Sequence, residues 1–600
     1  MIIKVSEYLS NFFVNNGIMD CFMVTGGGAM HLDDAIGHQK GMHCVFNHHE
    51  QACAIAAEAY ARSTGKIALV CVTSGPGGTN AITGVVGGWL DSIPMFVVSG
   101  QVKRETTIWS CPEIGLRQLG DQEFNIVDSV RNMTKYSVMI TNPNEIAYHL
   151  EKALFLALTG RPGPVWLDIP LDVQGARIDT DDLLHFNAEK EFSNTKKAVI
   201  DAKIILDKLN KAKAPLLLVG TGVRVGDAKD EVLKLIDKLK IPVVTAWNAN
   251  DIVAFDNPYF SGMPGTVGTR PGNFAVQNCD LLLSLGCRLN IRMIGYNHFD
   301  FAKNAYKIIV DIDEKELRKP TIKPDMPICS DVKDFIKAIL KEEYTPNAEH
   351  ERWVKWCKEK LVRYPSVLAK YHDPLNKKLN HYVFTEMLFD RLKEDDRIVC
   401  GNGAACVITF QACKIKQGQQ LFTNSGCAAM GYGLPASLGV AVSNNSKRTI
   451  CIDGDGSVMM NIQELATIKQ NNLNVKLFII NNNGYLSIRQ TQRNLFKPPF
   501  IGIDKESGVG FPSFEKLSEA FDIPYFKIVN EKDCNSKMTE ILSLKGPTVC
   551  EVVVDPSQNF EPKSSSKVLP DGKIISPSLD DMAPFLSRDE YKANRYIYEE

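Results

Sequence analysis

Two short polar breaks carry the clearest chemistry in this sequence. An apolar run, Ile450–Ile452, stops at Asp453-Gly454-Asp455-Gly456, and a second, Val475–Ile480, stops at Asn481-Asn482-Asn483-Gly484. Asp455 offers a carboxylate and Asn482, 27 residues on, an amide oxygen. The backbone at Gly484 can turn a carbonyl inward. A hard cation such as Mg²⁺ takes oxygen ligands of this kind and completes its shell with water and phosphate oxygens. The predicted helix start near Gly456 offers free N–H groups to a phosphate. Singly, Asp-Gly and Asn-Gly are ordinary turn residues. Together, joined by one crossover, they read as the holder of a metal-bridged diphosphate.

The elements that must position them are a strand, a helix and a strand. Ile462, Leu465 and Ile468 fall on one face of the intervening helix, and the Asn461/Glu464 spacing predicts a capping box at its start. A parallel crossover puts both polar breaks at the carboxyl ends of neighbouring strands, where open α/β sheets bind ligands. The same alternation fills the first 175 residues. Met23-Val24-Thr25 enters Gly26-Gly27-Gly28, and Val45–His49 opens an Ala-rich helix with Glu50 in its first turn. The strand Ile67–Thr73 meets the Gly-rich loop Ser74–Asn80, and Met95–Ser99 is the next strand. The expected fold class is α/β, with three doubly wound parallel-sheet domains.

The GDG…NN arrangement resembles the thiamine diphosphate (ThDP) motif. FNHHEQACAIAAEAYARSTGK, VTSGPGGTN and DSIPMFVVSGQV resemble the N-terminal domain of acetolactate synthases and their relatives. The resemblance implies Asp455, Asn482 and the Gly484 carbonyl as Mg²⁺ ligands. It implies Gly26, Gly27, Glu50, Gly403, Met430, Gly454, Gly456, Ser457, Asn482 and Tyr485 at the cofactor, with Met430 propping its bent form. The residue matching Glu50 touches the aminopyrimidine N1′ in that family and exchanges a proton there. Gln122, in Arg117–Glu123, matches a Gln near the substrate, and His49 is a further acid–base candidate. Leu171 stands where many acetolactate synthases carry a Lys, which leaves the acceptor open. Leu486 and Ile488 are candidate pocket-lining residues. Gly286-Cys287-Arg288 and GMPGTVGTRPGN resemble segments that hold FAD, a candidate second cofactor. The RQLGDQE loop and the C-terminal tail resemble ThDP enzymes of polysaccharide and branched-sugar gene sets.

The implied activity is decarboxylation of a 2-oxo acid, pyruvate foremost, and ligation of the two-carbon unit to an acceptor carbonyl. A keto-sugar acceptor, simple decarboxylation and a non-catalytic ThDP binder are the alternatives. In the family the two cofactor halves meet between subunits, so a homodimer or homotetramer is implied.

Bulk properties agree with a soluble enzyme. Six hundred residues exceed one core, and 44% hydrophobic with 23% charged residues is ordinary for a globular protein. A net charge of −2 gives no support for nucleic acid or an anionic membrane as partner. The 16 cysteines lack any C-x-x-C pair, and many lie in apolar runs, as buried free thiols in a reducing, cytoplasmic setting do. The amphipathic N-terminus does not read as a signal peptide. The expected units are 1–175, pyrimidine-binding; 196–345, central; 376–560, diphosphate- and Mg-binding; and 561–600, a tail or lid. Residues 176–195 and 346–375 read as a polar linker and a connecting helix.

Overall fold

The computed structural model describes residues 1–192, 200–373, 375, 377–445, 447–568 and 574–598. Three parallel sheets organise them. The first runs His43–Phe46, Asp20–Met23, Leu69–Val72, Met95–Gln101, Pro164–Pro170, Tyr136–Met139. The third runs Gln420–Phe422, Arg397–Cys400, Thr449–Gly454, Val475–Asn481, Thr548–Val553, Tyr525–Ile528. Both follow the order 2-1-3-4-6-5 in their own strand sequence. The central sheet runs Val243–Thr245, Pro215–Val219, Leu281–Leu285, Tyr306–Asp311, Met326–Cys329. Every pairing within the three sheets is parallel. Strands covered on both faces explain the unbroken apolar runs.

In each sheet the first and third strands are neighbours, so the crossovers leave in opposite directions at that point. Backbone crowds there. A methyl group added at Gly26 would fall 2.5 Å from the Thr73 side chain, and one at Gly220 2.2 Å from Gly286 O. One at Gly401 would fall 1.8 Å from Asp453 Oδ1.

The first and third domains share an apolar core. The helix Glu50–Thr64 lies against Gly433–Ser443 so closely that a methyl group at Gly439 would stand 2.0 Å from Ala56 O. The stretch 176–192, expected to be a linker, instead dresses the first sheet. Arg177–Asp179 pairs antiparallel with Ile2–Lys4, and Phe186 and Phe192 pack on Phe155. Likewise Trp353, on the helix His350–Arg363, is buried in the central core and donates to Pro215 O. The tail docks on the central domain: Asn273 Nδ2 donates to Leu579 O, and Tyr596 packs on Trp353 and Trp356. All 16 cysteines are free, and no helix among the described residues is long and apolar enough to cross a membrane.

Candidate active site

The cradle forms where Thr449–Gly454 and Val475–Asn481 end side by side. Asp455 is 2% exposed. Its Oδ1 accepts from Gly456 N at 2.8 Å and its Oδ2 from Gly484 N at 2.9 Å, so the carboxylate ties the two turns together. Burial pushes Asp455 up to about 6 against these hydrogen bonds, and burial pushes Asp453 behind it to about 7. Asn482 Oδ1 is buried and has no hydrogen-bond partner among the described residues. A buried amide oxygen left unmatched costs free energy unless a ligand satisfies it. Gly484 (φ +121°) holds a backbone that other residues rarely adopt. Its carbonyl accepts from Leu486 N at 3.1 Å and keeps a second lone pair. An oxygen-rich set of one carboxylate, one amide and one carbonyl suits a hard cation better than a soft one.

Around the cradle, Gly403 (φ +82°) opens the helix Ala404–Ala412, and Gly454 has open space where a side chain would stand. Ser457 Oγ accepts from Gly431 N at 3.0 Å, fixing the turn after Met430. Met430 is 40% exposed, unlike a core methionine. Tyr485 covers Gly456, where a methyl group would fall 2.1 Å from the ring.

On the first domain, Glu50 begins its helix, and its Oε2 accepts from Asn80 Nδ2 at 3.0 Å. His49 is the helix cap: its Nδ1 accepts from Gln51 N at 3.2 Å. Gln122 is exposed with φ +60°, and its carbonyl lies against Gly75, where a methyl group would stand 2.6 Å away. The loop expected over Ser74–Asn80 is helical from Pro76, so Gln122 borders the start of the helix Pro76–Asp91 that carries Asn80. Gly26 N donates to Asp33 Oδ2, and Gly27 faces open space.

Several expectations need correction. Asn461 and Glu464 form no capping box. The segment breaks into short turns, Asp455–Val458 and Met459–Asn461, before the helix Glu464–Gln470. Asn461 Nδ2 instead donates to Gln51 Oε1 and Gly431 O, and Glu464 accepts from Asn47 Nδ2 and His48 N. Contacts between domains outcompeted the local cap. The Gly456 N–H is not free, being taken by Asp455. Leu486 is buried in the core rather than lining a pocket, while Ile488 is exposed.

Sequence reasoning missed Asn80 as the partner of Glu50, although SGPGGTN was in view, and it missed Arg489 behind the Asn482–Gly484 loop. It also missed a buried charge cluster. Arg62 pairs with Glu58 and Asp91, Glu58 accepts from Tyr432 OH, and Asp91 accepts from Gly426 N, holding both ends of the Met430 loop.

A cavity of about 700 Å³ lies at the switch point of the central sheet. Gly222, Gly286, Arg288, Arg292 and Asp311 line it from the central domain, and Arg161 and Ser425 from the first and third. Arg292 also lies over the Trp247 ring.

Residues 3–148 match the thiamine pyrophosphate enzyme N-terminal TPP binding domain, residues 202–339 the central domain, and residues 401–552 the C-terminal TPP binding domain. The chain belongs to the thiamine pyrophosphate enzyme family. Within it the chain is acetolactate synthase-like. It is 32% identical over 592 residues to the acetolactate synthase large subunit of Cyanidium caldarium, covering 95% of this chain and 97% of that one. It is 31% identical to the isozyme 1 large subunit of Escherichia coli (strain K12), covering 93% and 95%. The Lactococcus lactis large subunit is 29% identical, covering 91% and 92%. The two TPP binding domains are the first and third sheets; Glu50 stands on the first and Asp455 on the third.

Proposed function

We propose that this thiamine pyrophosphate enzyme decarboxylates a 2-oxo acid, with pyruvate as donor, and joins the two-carbon unit to an acceptor carbonyl. The observation that carries the reading is the buried Asn482 Oδ1, without a hydrogen-bond partner among the described residues, beside Asp455 at the end of the GDG…NN crossover. Asp455, Asn482 and the Gly484 carbonyl would hold Mg²⁺; Gly403, Gly454 and Ser457 would flank the diphosphate, and Met430 the rings. When bound, ThDP supplies the carbanion chemistry. Glu50, oriented by Asn80, holds and passes the proton at the pyrimidine end. His49 keeps Nδ1 as an acceptor toward the helix start, so its Nε2 is the atom left for substrate. Gln122 borders the same space. Family resemblance supports a site shared between two copies in a homodimer or homotetramer. The exposed Phe46, Trp109, Phe124 and Ile488 are surface that such pairing would cover. Sixteen free thiols support a cytoplasmic setting.

The central cavity supports FAD as a second cofactor. Its volume falls in the range of small-molecule sites, and glycines at a sheet switch point let a dinucleotide approach the backbone. A keto-sugar acceptor is the second reading. Leu171 brings an apolar side chain to the end of Pro164–Pro170, next to Asp172, which anchors Arg104 at the start of the Gln122 loop.

The test is to record the visible spectrum of the purified protein, then follow CO₂ release from pyruvate with ThDP and Mg²⁺. Acetolactate from pyruvate alone is the expected product. Release that appears only with a keto-sugar selects the second reading, and no release from any 2-oxo acid overturns both.

A further inference from the structure

We propose that Arg489 is a positioning residue for the divalent metal: from behind the Asn482–Gly484 loop it sets metal affinity without touching the ion. The inference rests on the Mg²⁺ reading above and concerns how the chain holds that loop. Arg489 is 3% exposed, and its hydrogen bonds go to backbone carbonyls. Its Nη1 donates to Asn482 O at 3.1 Å and approaches Pro556 O at 3.5 Å, and its Nη2 donates to Asn483 O. The nearest ion-pair partner, Asp504 Oδ2, is 3.8 Å from Nε. A buried guanidinium satisfied mainly by carbonyls is a costly arrangement for stability alone, and a well-packed apolar side chain would serve a core better.

What the arrangement achieves is control of three successive peptide groups. The Asn482 and Asn483 carbonyls are committed to the guanidinium. Asn483 N donates to Asn481 Oδ1, and Gly484 N to Asp455 Oδ2. The oxygens left for a metal are Asn482 Oδ1 and the Gly484 carbonyl, beside Asp455. The fit behind Gly484 is close: a methyl group there would stand 1.9 Å from Ile503 O and 3.0 Å from Arg489 Nη2. Tyr485 N donates to Ile503 O, and Asp504 is fixed by Ser507, so the same side chain ties the metal loop to the segment 503–507. Groups that orient the ligands of a metal typically change its affinity by ~10–100-fold when removed.

The test titrates Mg²⁺ into protein with saturating ThDP, reading cofactor retention and turnover, for wild type, Arg489→Gln, Arg489→Lys and Asp455→Ala. Arg489→Gln is expected to move the Mg²⁺ midpoint upward by about 10–100-fold, with turnover returning at high Mg²⁺. Arg489→Lys, which reaches one carbonyl rather than two, falls between and serves if the Gln variant does not fold. An unmoved midpoint in either variant, or a turnover loss that Mg²⁺ does not restore, overturns the proposal. The metal reading fails separately, and takes this proposal with it, if wild-type ThDP retention is indifferent to EDTA and Asp455→Ala behaves as wild type.

Discussion

At the third sheet, two neighbouring strands end in polar turns that together hold Asp455, Asn482 and Gly484. At the central sheet, the strand ends carrying Gly220–Gly222 and Gly286 meet backbone to backbone, and the space beyond is also lined by Arg161 from the first domain and Ser425 from the third. The cavity lies at the switch point of its sheet, and the cradle one strand further on, between the third and fourth strands of its own. The cradle is one crossover with its own ligands, whereas the cavity is a backbone notch that becomes a site only when three domains surround it. The difference teaches where chemistry and recognition separate in this chain. Groups that must sit within a few ångströms of one ion come from adjacent strands, while a large ligand is bounded by whatever the domains bring together.

The largest expected effect is at Glu50, on the first domain. Glu50→Gln should lower turnover by about 10²–10⁴-fold, the usual contribution of a positioned proton-transfer group. Cofactor retention on desalting should persist, and unchanged turnover would remove Glu50 from the reaction. A middle-sized effect separates the two regions. Gly220→Ala puts a methyl group 2.2 Å from Gly286 O and 2.5 Å from Cys287 Cα. Such overpacking costs about 1–3 kcal/mol. Flavin absorbance should disappear while ThDP affinity stays, and joint loss of both would show that the regions do not act independently.

The smallest effect probes the first domain. Burial pushes Asp168 up to about 7, against the bonds it accepts from Ser99 Oγ and Gln101 Nε2. Between its unfolded value near 3.8 and about 7, the folded state binds the extra proton. Stability should therefore fall as pH rises through that window and level off above it. Asp168→Asn should reduce the slope by about 2 kcal/mol between pH 5 and pH 7, read from melting temperatures of both proteins. Equal slopes would place the titration elsewhere.

Legibility in the sequence followed distance along the chain. The cradle strands read correctly because burial on both faces forces continuous apolar runs, and the polar turns ending them stand out. Glu50 read correctly as a first-turn residue, but Asn80 did not read as its partner, because the pairing joins the helices Glu50–Thr64 and Pro76–Asp91 across the strand between them. Asn461 and Glu464 had the spacing of a cap and took other partners once the first domain supplied Gln51, Asn47 and the His48 amide. The stretch 176–192 looked like a linker because its polar residues gave no hint of the aromatic contacts at Phe186 and Phe192.

By itself the sequence determined the three-sheet α/β architecture and which oxygen donors stand at the two polar turns, since periodicity, glycine placement and residue type are local properties of the chain. Only the tertiary structure decided that Asn482 Oδ1 is left without a partner among the described residues, that Arg489 stands buried behind the Asn482–Gly484 loop, and that the central notch opens into a cavity lined by three domains. Each of those depends on which atoms from distant segments exclude water from a given point, and that is settled by packing alone.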